Sequence, residues 1–177
     1  MDVGFVILCP DRKIGGLKNT LGSIRCHSYN REAICMVGND ATDAELKEFK
    51  QVCVTHKGSD TITSLINTGI KKLKQDWACV VFSGSRVPNY IEWKFSNWIK
   101  DDTDVLFPVI DGKCDFVTGS FNGFVVNKKF FEKVGDFPTV TMKKYGLNDF
   151  EFAKMLWAVD AMASGCKFKA IVGMRII

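Results

Sequence analysis

The fold is decided by the stretch Asp76-Trp-Ala-Cys-Val-Val-Phe-Ser-Gly-Ser-Arg-Val-Pro88. Its apolar run ends abruptly at Phe82, small polar residues follow, and Pro88 closes the segment. A short apolar run bounded by turn residues is typical of a buried strand in a parallel sheet. Ligands of open α/β sheets bind beyond the carboxyl ends of the strands. The sequence therefore predicts that Ser83–Arg86 lies at a binding edge.

Apolar runs of strand length alternate with helical patterns through the first half of the chain. The clearest helical series starts at Ile62 and ends at Leu73, with Ser59 or Asp60 as its cap. Such alternation predicts a parallel sheet covered by helices on both faces, which is an α/β fold. The predicted strands are Val3–Cys9, Ala33–Val37, Val52–Thr55 and Trp77–Phe82, and the other predicted helices are Gly16–His27 and a short one capped by Thr42.

The second half of the chain mixes shorter elements, and no linker rich in Pro or Ser separates it from the first half. We therefore predict a single domain over residues 1–177. Its last helix is predicted between the cap Asn148 and Gly165, with a buried stripe formed by Phe152, Met155, Leu156, Val159 and Ala163. The remaining predicted elements are a helix through Ile91, Phe95, Trp98 and Ile99, strands Val105–Ile110, Phe116–Val117, Phe124–Val126 and Lys167–Ile177, and a helix Lys128–Val134 ended by Gly135.

Composition and charge exclude several classes of protein. The net charge of +4 is mild and the lysines are scattered, so we expect no nucleic-acid partner. The seven cysteines form no Cys-x-x-Cys pair, and neither His27 nor His56 lies near one, which argues against a zinc site. Cysteines in predicted strands behave as small hydrophobic residues. Without a signal peptide or an apolar run of about 18 residues, the sequence predicts a cytoplasmic protein with no transmembrane segment.

Three common active-site motifs are absent from the sequence. There is no Gly-x-Gly-x-x-Gly after the first strand, no Gly-x4-Gly-Lys-Ser/Thr, and no Gly-x-Ser-x-Gly elbow. Gly15-Gly16 fits a helix-entry turn as well as a phosphate cradle. Dinucleotide-binding, P-loop and α/β-hydrolase chemistry are therefore disfavoured.

Taken in order, several segments resemble the glycosyltransferases of the GT-A fold, and most of all the large family 2 group. The first strand and loop of that family are similar to Phe5–Arg12, and its Val-Asp-Asp-x-Ser-x-Asp motif is similar to Val37–Asp43. Its Arg-Asn-x-Gly-Ile helix resembles Ile66–Ile70, and its Phe-Leu-Asp-x-Asp strand resembles Val81–Pro88. Later similarities are the stretch from Gly119 to Phe137 and the pair Asn148-Asp149.

The resemblance implies a nucleotide-diphospho-sugar transferase-like domain with a mostly parallel sheet flanked by helices on both faces. Residues 1–88 would form its nucleotide-binding half and residues 89–177 its acceptor-side half. The implied partner is a nucleotide-sugar, with a UDP-sugar favoured, and the oligomeric state stays open. The implied substrate-binding residues are Pro10, Asp11, Arg12, Gly38, Asn39, Asp40, Asn67, Ser83, Gly84, Ser85 and Arg86.

The sequence departs from this family where a metal would be held. Most GT-A enzymes bind Mn²⁺ or Mg²⁺ through an Asp-x-Asp, and Ser83 and Ser85 stand at those positions here. Because neutral hydroxyls are poor ligands for hard cations, we expect no tightly bound metal or other cofactor, with weakly held Mn²⁺ or Mg²⁺ as the alternative. The diphosphate would instead meet Arg86, assisted by Arg12. The competing interpretation is that Ser83–Arg86 is only a turn.

The resemblance also implies a catalytic base. Asp149 stands where the family places the carboxylate that deprotonates an acceptor hydroxyl in an inverting transfer. Glu151 is the second choice, and the simpler interpretation is that Asn148 and Asp149 only cap a helix. Three functional hypotheses follow: an active glycosyltransferase, an inactive relative that binds nucleotides or proteins, and an unrelated Rossmann-like protein.

Overall fold

A computed structural model describes residues 2–9, 14–28, 33–37, 53–55, 61–87, 89–99, 103–108, 123–140 and 149–171. These residues form one seven-stranded sheet with helices on both faces. The strands are β1 Val3–Cys9, β2 Ala33–Val37, β3 Cys53–Thr55, β4 Trp77–Phe82, β5 Val105–Pro108, β6 Gly123–Asn127 and β7 Phe168–Ile171. The helices are α1 Ile14–His27, α2 Ile62–Lys72, α3 Ile91–Trp98, α4 Lys128–Val134 and α5 Asp149–Ala163.

The sheet is mostly parallel, as predicted. Its strand order is β3-β2-β1-β4-β6-β5-β7, and only β6 runs antiparallel to its neighbours. Leu8 is in register with Phe82, and Cys9 with Val37, so β1, β2 and β4 end at the same edge. We call this edge the carboxyl edge. Strand β6 begins there as well, because Gly123 pairs with Val81.

The central strands are apolar throughout because helices cover both of their faces. In β1, Phe5 and Ile7 pack into the core beneath α1 and α3, whereas Val6 and Leu8 pack into the core beneath α2, α4 and α5. Alternate residues of a strand point to opposite faces, so a strand buried on both sides has no polar positions. The same reasoning explains the uninterrupted run of β4.

The predicted strands and helices of the first half are confirmed where the structure describes them, with one corrected cap. Helix α2 is capped by Thr61, whose Oγ1 accepts a hydrogen bond from the Ser64 N–H at 3.2 Å, rather than by Ser59 or Asp60. A cap must lie directly before the first helical residue, and Ile62 is that residue. The predicted helix at Thr42 and the strand Phe116–Val117 lie outside the described residues.

The predicted buried stripe of the last helix is wrong. The side chains of α5 that face the core include Trp157, Ala158 and Ala161, whereas Val159 is 53% exposed and Ala163 is exposed. Apolar residues surround most of this helix, so helical spacing alone does not select one face. Trp157 decides the orientation, because its ring stacks on Phe137 at 4.6 Å and its indole N–H donates to the Gly135 carbonyl at 2.9 Å.

Candidate functional site at the carboxyl edge

The turn that follows β4 lies at the carboxyl edge. The Ser83 N–H donates to the Leu8 carbonyl at 2.7 Å, which extends the pairing of β4 with β1 by one residue. Gly84 then adopts a left-handed conformation with φ of +97°, which glycine adopts without strain. The strand therefore stops at Phe82 and its turn stays attached to the end of β1.

Two hydroxyl groups of α1 hold this turn. Thr20 Oγ1 accepts from the Gly84 N–H at 2.9 Å and donates to the Ser85 carbonyl at 2.8 Å. Ser23 Oγ accepts from the Val87 N–H at 3.0 Å. The sequence reasoning missed both residues, although a polar Thr20 beside Leu17, Leu21 and Ile24 on the apolar face of α1 was a usable signal.

Gly16 allows α1 to approach the turn closely. A Cβ atom at this position would lie 2.8 Å from Ser83 Oγ and 3.0 Å from the Gly84 nitrogen. The Gly16 carbonyl also accepts from the Gly84 N–H at 3.1 Å. Gly16 therefore lets α1 pack closely against the turn, and this explains the second glycine of the Gly15-Gly16 pair.

The backbone of the turn does not form an open anion-binding nest. The N–H groups of Ser83, Gly84, Ser85 and Val87 all donate to groups of the protein. What the turn presents is side chains: the half-buried hydroxyls of Ser83 and Ser85 and the exposed side chain of Arg86. A phosphate at this place would meet a guanidinium and hydroxyls, which suit anionic oxygens.

The same donors do not fit a tightly held divalent cation. Hard cations prefer carboxylate oxygens, and the turn offers two neutral hydroxyls beside a positive charge. Among the described residues, no group of three or more His, Cys, Asp or Glu side chains is placed to hold a metal ion. The expectation about metal binding stays a prediction, because Asp11 and Asp40 lie outside these residues.

The segment after the turn runs down alongside α1. Gly84 pairs with Thr20, Val87 with Ser23, and Glu92 with Ser28, and each pair is 64 positions apart in the sequence. Because the offset is constant, the segment and α1 run side by side in the same direction. Eight residues of α1 span about 12 Å, so α3 begins well below the carboxyl edge.

The structure places Asn67 away from this turn, on the opposite face of the sheet. Its buried amide nitrogen donates to the Phe137 carbonyl at 2.9 Å, and its amide oxygen accepts from the Phe137 N–H at 2.9 Å. Asn67 thereby anchors the segment that follows α4. Its predicted role in substrate binding stays a prediction.

Asp149 is the first residue of α5, as expected for the proposed base. The position of α5 is set through Trp157, which contacts Gly135 and Phe137. Asn67 of α2 binds the backbone of the same Phe137. The segment Gly135–Phe137 therefore connects α2 with α5. Asn148 lies outside the described residues.

The other predicted substrate-binding residues lie outside the described part of the chain. Pro10, Asp11 and Arg12 come directly after β1, and Gly38, Asn39 and Asp40 directly after β2. Both strands end at the carboxyl edge, in register with each other. Both predicted segments thus follow strands that end at the edge that carries Ser83.

Cys79 and Cys166 form no disulfide, and the first is buried while the second is half-buried. Burial raises the pKa of the Cys79 thiol far above its ordinary value, with Glu92 adding to the effect. Desolvation, followed by the charge of Asp104, raises the pKa of Cys166 to about 12. Both thiols are therefore protonated at neutral pH, which argues against nucleophilic roles for them.

The fold matches solved structures of glycosyltransferases, and the predicted GT-A architecture is confirmed. The mannosyltransferase PcManGT from Pyrobaculum calidifontis, in complex with GDP-Man and Mn²⁺, matches with a TM-score of 0.70 and 12% identity, over 98% of this chain and 55% of its own. S. aureus TarS in complex with UDP-GlcNAc matches with a TM-score of 0.65 and 13% identity, over 97% of this chain and 56% of its own.

This likeness is structural, because the sequence matches no protein-family model and has no significant match among curated proteins. The chain spans little more than half the length of the two structures that it matches. None of the helices in the described ranges is long and apolar enough to cross a membrane.

Proposed function

We propose that this chain is a family 2-like glycosyltransferase that binds a nucleotide-sugar at the carboxyl edge of its sheet. The observation that carries the proposal is the turn Ser83–Arg86, which α1 holds at the edge where β1, β2 and β4 end. Structures of the same fold are solved with GDP-Man and with UDP-GlcNAc. The favoured donor is a UDP-sugar, bound by residues 1–88, with residues 89–177 on the acceptor side.

The diphosphate of the donor is bound by basic side chains in this proposal. Ser83-Gly84-Ser85 is a degenerate Asp-x-Asp motif, which lacks the two carboxylates that would bind a metal ion. Arg86 supplies the positive charge in place of that metal. Arg12, after β1, assists from the same edge. A guanidinium forks onto two phosphate oxygens and disperses the charge that the leaving diphosphate gains.

Sugar transfer then proceeds with inversion. The acceptor oxygen attacks the anomeric carbon, its proton passes to the Asp149 carboxylate, and the bond to the diphosphate breaks with its electron pair leaving on the phosphate oxygen. Asp149 is the first residue of α5, and a carboxylate is one of the groups that serve as general bases. Cys9, Cys26, Cys79 and Cys166 form no disulfide, which supports a reducing, cytoplasmic location.

The second candidate is a catalytically inactive relative that binds nucleotides or a protein. The replacement of both Asp-x-Asp carboxylates by Ser83 and Ser85 favours this alternative. Measurement of donor binding and of sugar transfer separates the two functions, since the inactive relative would bind a nucleotide without turnover.

The test is a thermal-shift and calorimetric panel of UDP-, GDP-, CMP- and dTDP-sugars, with and without Mn²⁺. Binding of one nucleotide-sugar without metal, lost in Arg86→Ala, is the expected result. The matched control is Arg25→Ala, which removes an exposed arginine from the far end of α1. Binding that requires Mn²⁺, or an equal loss in both variants, would contradict the role of Arg86, and no binding of any nucleotide would leave only the protein-interaction alternative.

A further inference from the structure

The backbone of Arg86 is held on both sides while its side chain is exposed to solvent. The peptide unit before it is bound through the Ser85 carbonyl, which accepts from Thr20 Oγ1 at 2.8 Å. The peptide unit after it is bound through the Val87 N–H, which donates to Ser23 Oγ at 3.0 Å. The backbone of Arg86 is therefore fixed to α1, and its exposed side chain can meet a ligand.

We propose that Thr20 and Ser23 are positioning residues of the donor site, which hold Arg86 so that its guanidinium reaches the diphosphate of a nucleotide. This inference rests on the proposed function and deepens it. A residue that binds from a fixed backbone loses less conformational entropy on binding than one on a free loop. In this arrangement α1 holds the backbone of Arg86 in place before the diphosphate binds.

The burial of Thr20 supports a dedicated role for its hydroxyl. Thr20 is fully buried and has the apolar, buried residues Leu17 and Leu21 on the same helix face. A buried hydroxyl is unfavourable unless it is hydrogen-bonded. The Thr20 hydroxyl bonds to two groups of the turn, the Gly84 N–H at 2.9 Å and the Ser85 carbonyl at 2.8 Å, and the Gly16 carbonyl of its own helix is a more distant acceptor at 3.2 Å.

The experiment compares the affinity of a nucleoside diphosphate with that of its nucleoside. UDP and uridine, and GDP and guanosine, are titrated calorimetrically into the wild type, Thr20→Val and Ser23→Ala. We expect diphosphate affinity to fall about tenfold in each variant, the equivalent of one well-placed hydrogen-bonded contact, while nucleoside affinity is unchanged. Thr20→Ser keeps the hydroxyl and should restore the affinity for the diphosphate.

Two further measurements separate positioning from a loss of structure. In an Arg86→Ala background, Ser23→Ala should have no further effect on diphosphate affinity, because the group that it positions is gone. Thr63→Val, at a buried threonine of α2 on the other face of the sheet, should leave both affinities unchanged. If Thr20→Val does not fold, Ser23→Ala at a half-buried position carries the test.

The outcomes are distinct. An equal loss of diphosphate and nucleoside affinity, or the same loss with and without Arg86, would overturn the positioning role and leave the proposed function intact. Unchanged diphosphate affinity in both hydroxyl variants would do the same. A wild type that binds neither diphosphate, and none of the nucleotide-sugars of the panel above, would overturn the proposed function, and the positioning role with it.

Discussion

Gly16 and Ser83 are packed so closely that a single added carbon on Gly16 would lie 2.8 Å from Ser83 Oγ. This contact joins the first turn of α1 to the first residue after β4. The Gly84 nitrogen is nearly as close, at 3.0 Å from the same added carbon. The approach of α1 to the candidate site therefore depends on the absence of a side chain at one position.

Gly16→Ala should lower the free energy of unfolding by about 1–3 kcal/mol, because the Ser83 side chain and the backbone of Gly84 must move to make room. The matched control is Gly22→Ala in the same helix, where an added carbon meets nothing within 4 Å. There alanine should raise stability by about 0.5–1 kcal/mol through its helix propensity. Urea unfolding of the two variants measures the difference, and equal effects would show that the contact with the turn is loose.

Asn67→Ala should lower stability by about 2–4 kcal/mol, because it leaves the buried N–H and carbonyl of Phe137 without their partner. Asn97→Ala is the control, since Asn97 is exposed on α3 and its amide makes one contact with its own helix, to the Trp93 carbonyl. Its effect should be within about 0.5 kcal/mol. Chemical unfolding compares the two, and a small effect at Asn67 would mean that the segment after α4 is held without it.

Adjacent residues of α5 should respond in opposite ways to a charge. Ala158→Lys places an ammonium group in the core and should lower stability by about 3 kcal/mol or more. Val159→Lys places the same group on a side chain position that is 53% exposed, and should change stability by less than about 0.5 kcal/mol. Thermal unfolding measures both variants. If the stripe predicted from the sequence faced the core instead, Val159→Lys would be the more destabilising of the two.

Tyr90 should tolerate glycine better than Trp93 does. Both side chains are 64% exposed, so little packing is lost at either position. Tyr90 has φ of +55°, where a side chain costs about 1–2 kcal/mol relative to glycine, whereas Trp93 lies inside α3. Tyr90→Gly should therefore be neutral or stabilising, and Trp93→Gly should lower stability by about 1 kcal/mol in the same unfolding assay. Equal destabilisation would mean that the backbone at Tyr90 is not strained.

The strands could be predicted from the sequence because burial on both faces leaves a signal in the chain itself. The runs Val3–Cys9 and Trp77–Phe82 are apolar at every position, and the structure pairs them as β1 and β4 at the centre of the sheet. The alternation of strands with helices then predicted parallel pairing, since parallel strands need crossover connections. The carboxyl edge and the turn Ser83–Arg86 followed from the same pattern.

Contacts between distant segments could not be predicted in this way. The face of α5 depends on Trp157 meeting Phe137, and the cap of α2 depends on where the helix starts. Neither choice is encoded in periodicity, because several apolar faces and several capping residues were compatible with the sequence. Packing selects among them.

The sequence by itself determined the α/β alternation and the presence of two serines, Ser83 and Ser85, directly after β4, because both are properties of contiguous residues. Only the tertiary structure decided what holds that turn. Thr20 and Gly84 are 64 positions apart, and their hydrogen bond exists because the sheet brings the end of β4 against α1. A hydroxyl has no preferred partner until packing excludes water and brings donors and acceptors of the protein within its reach.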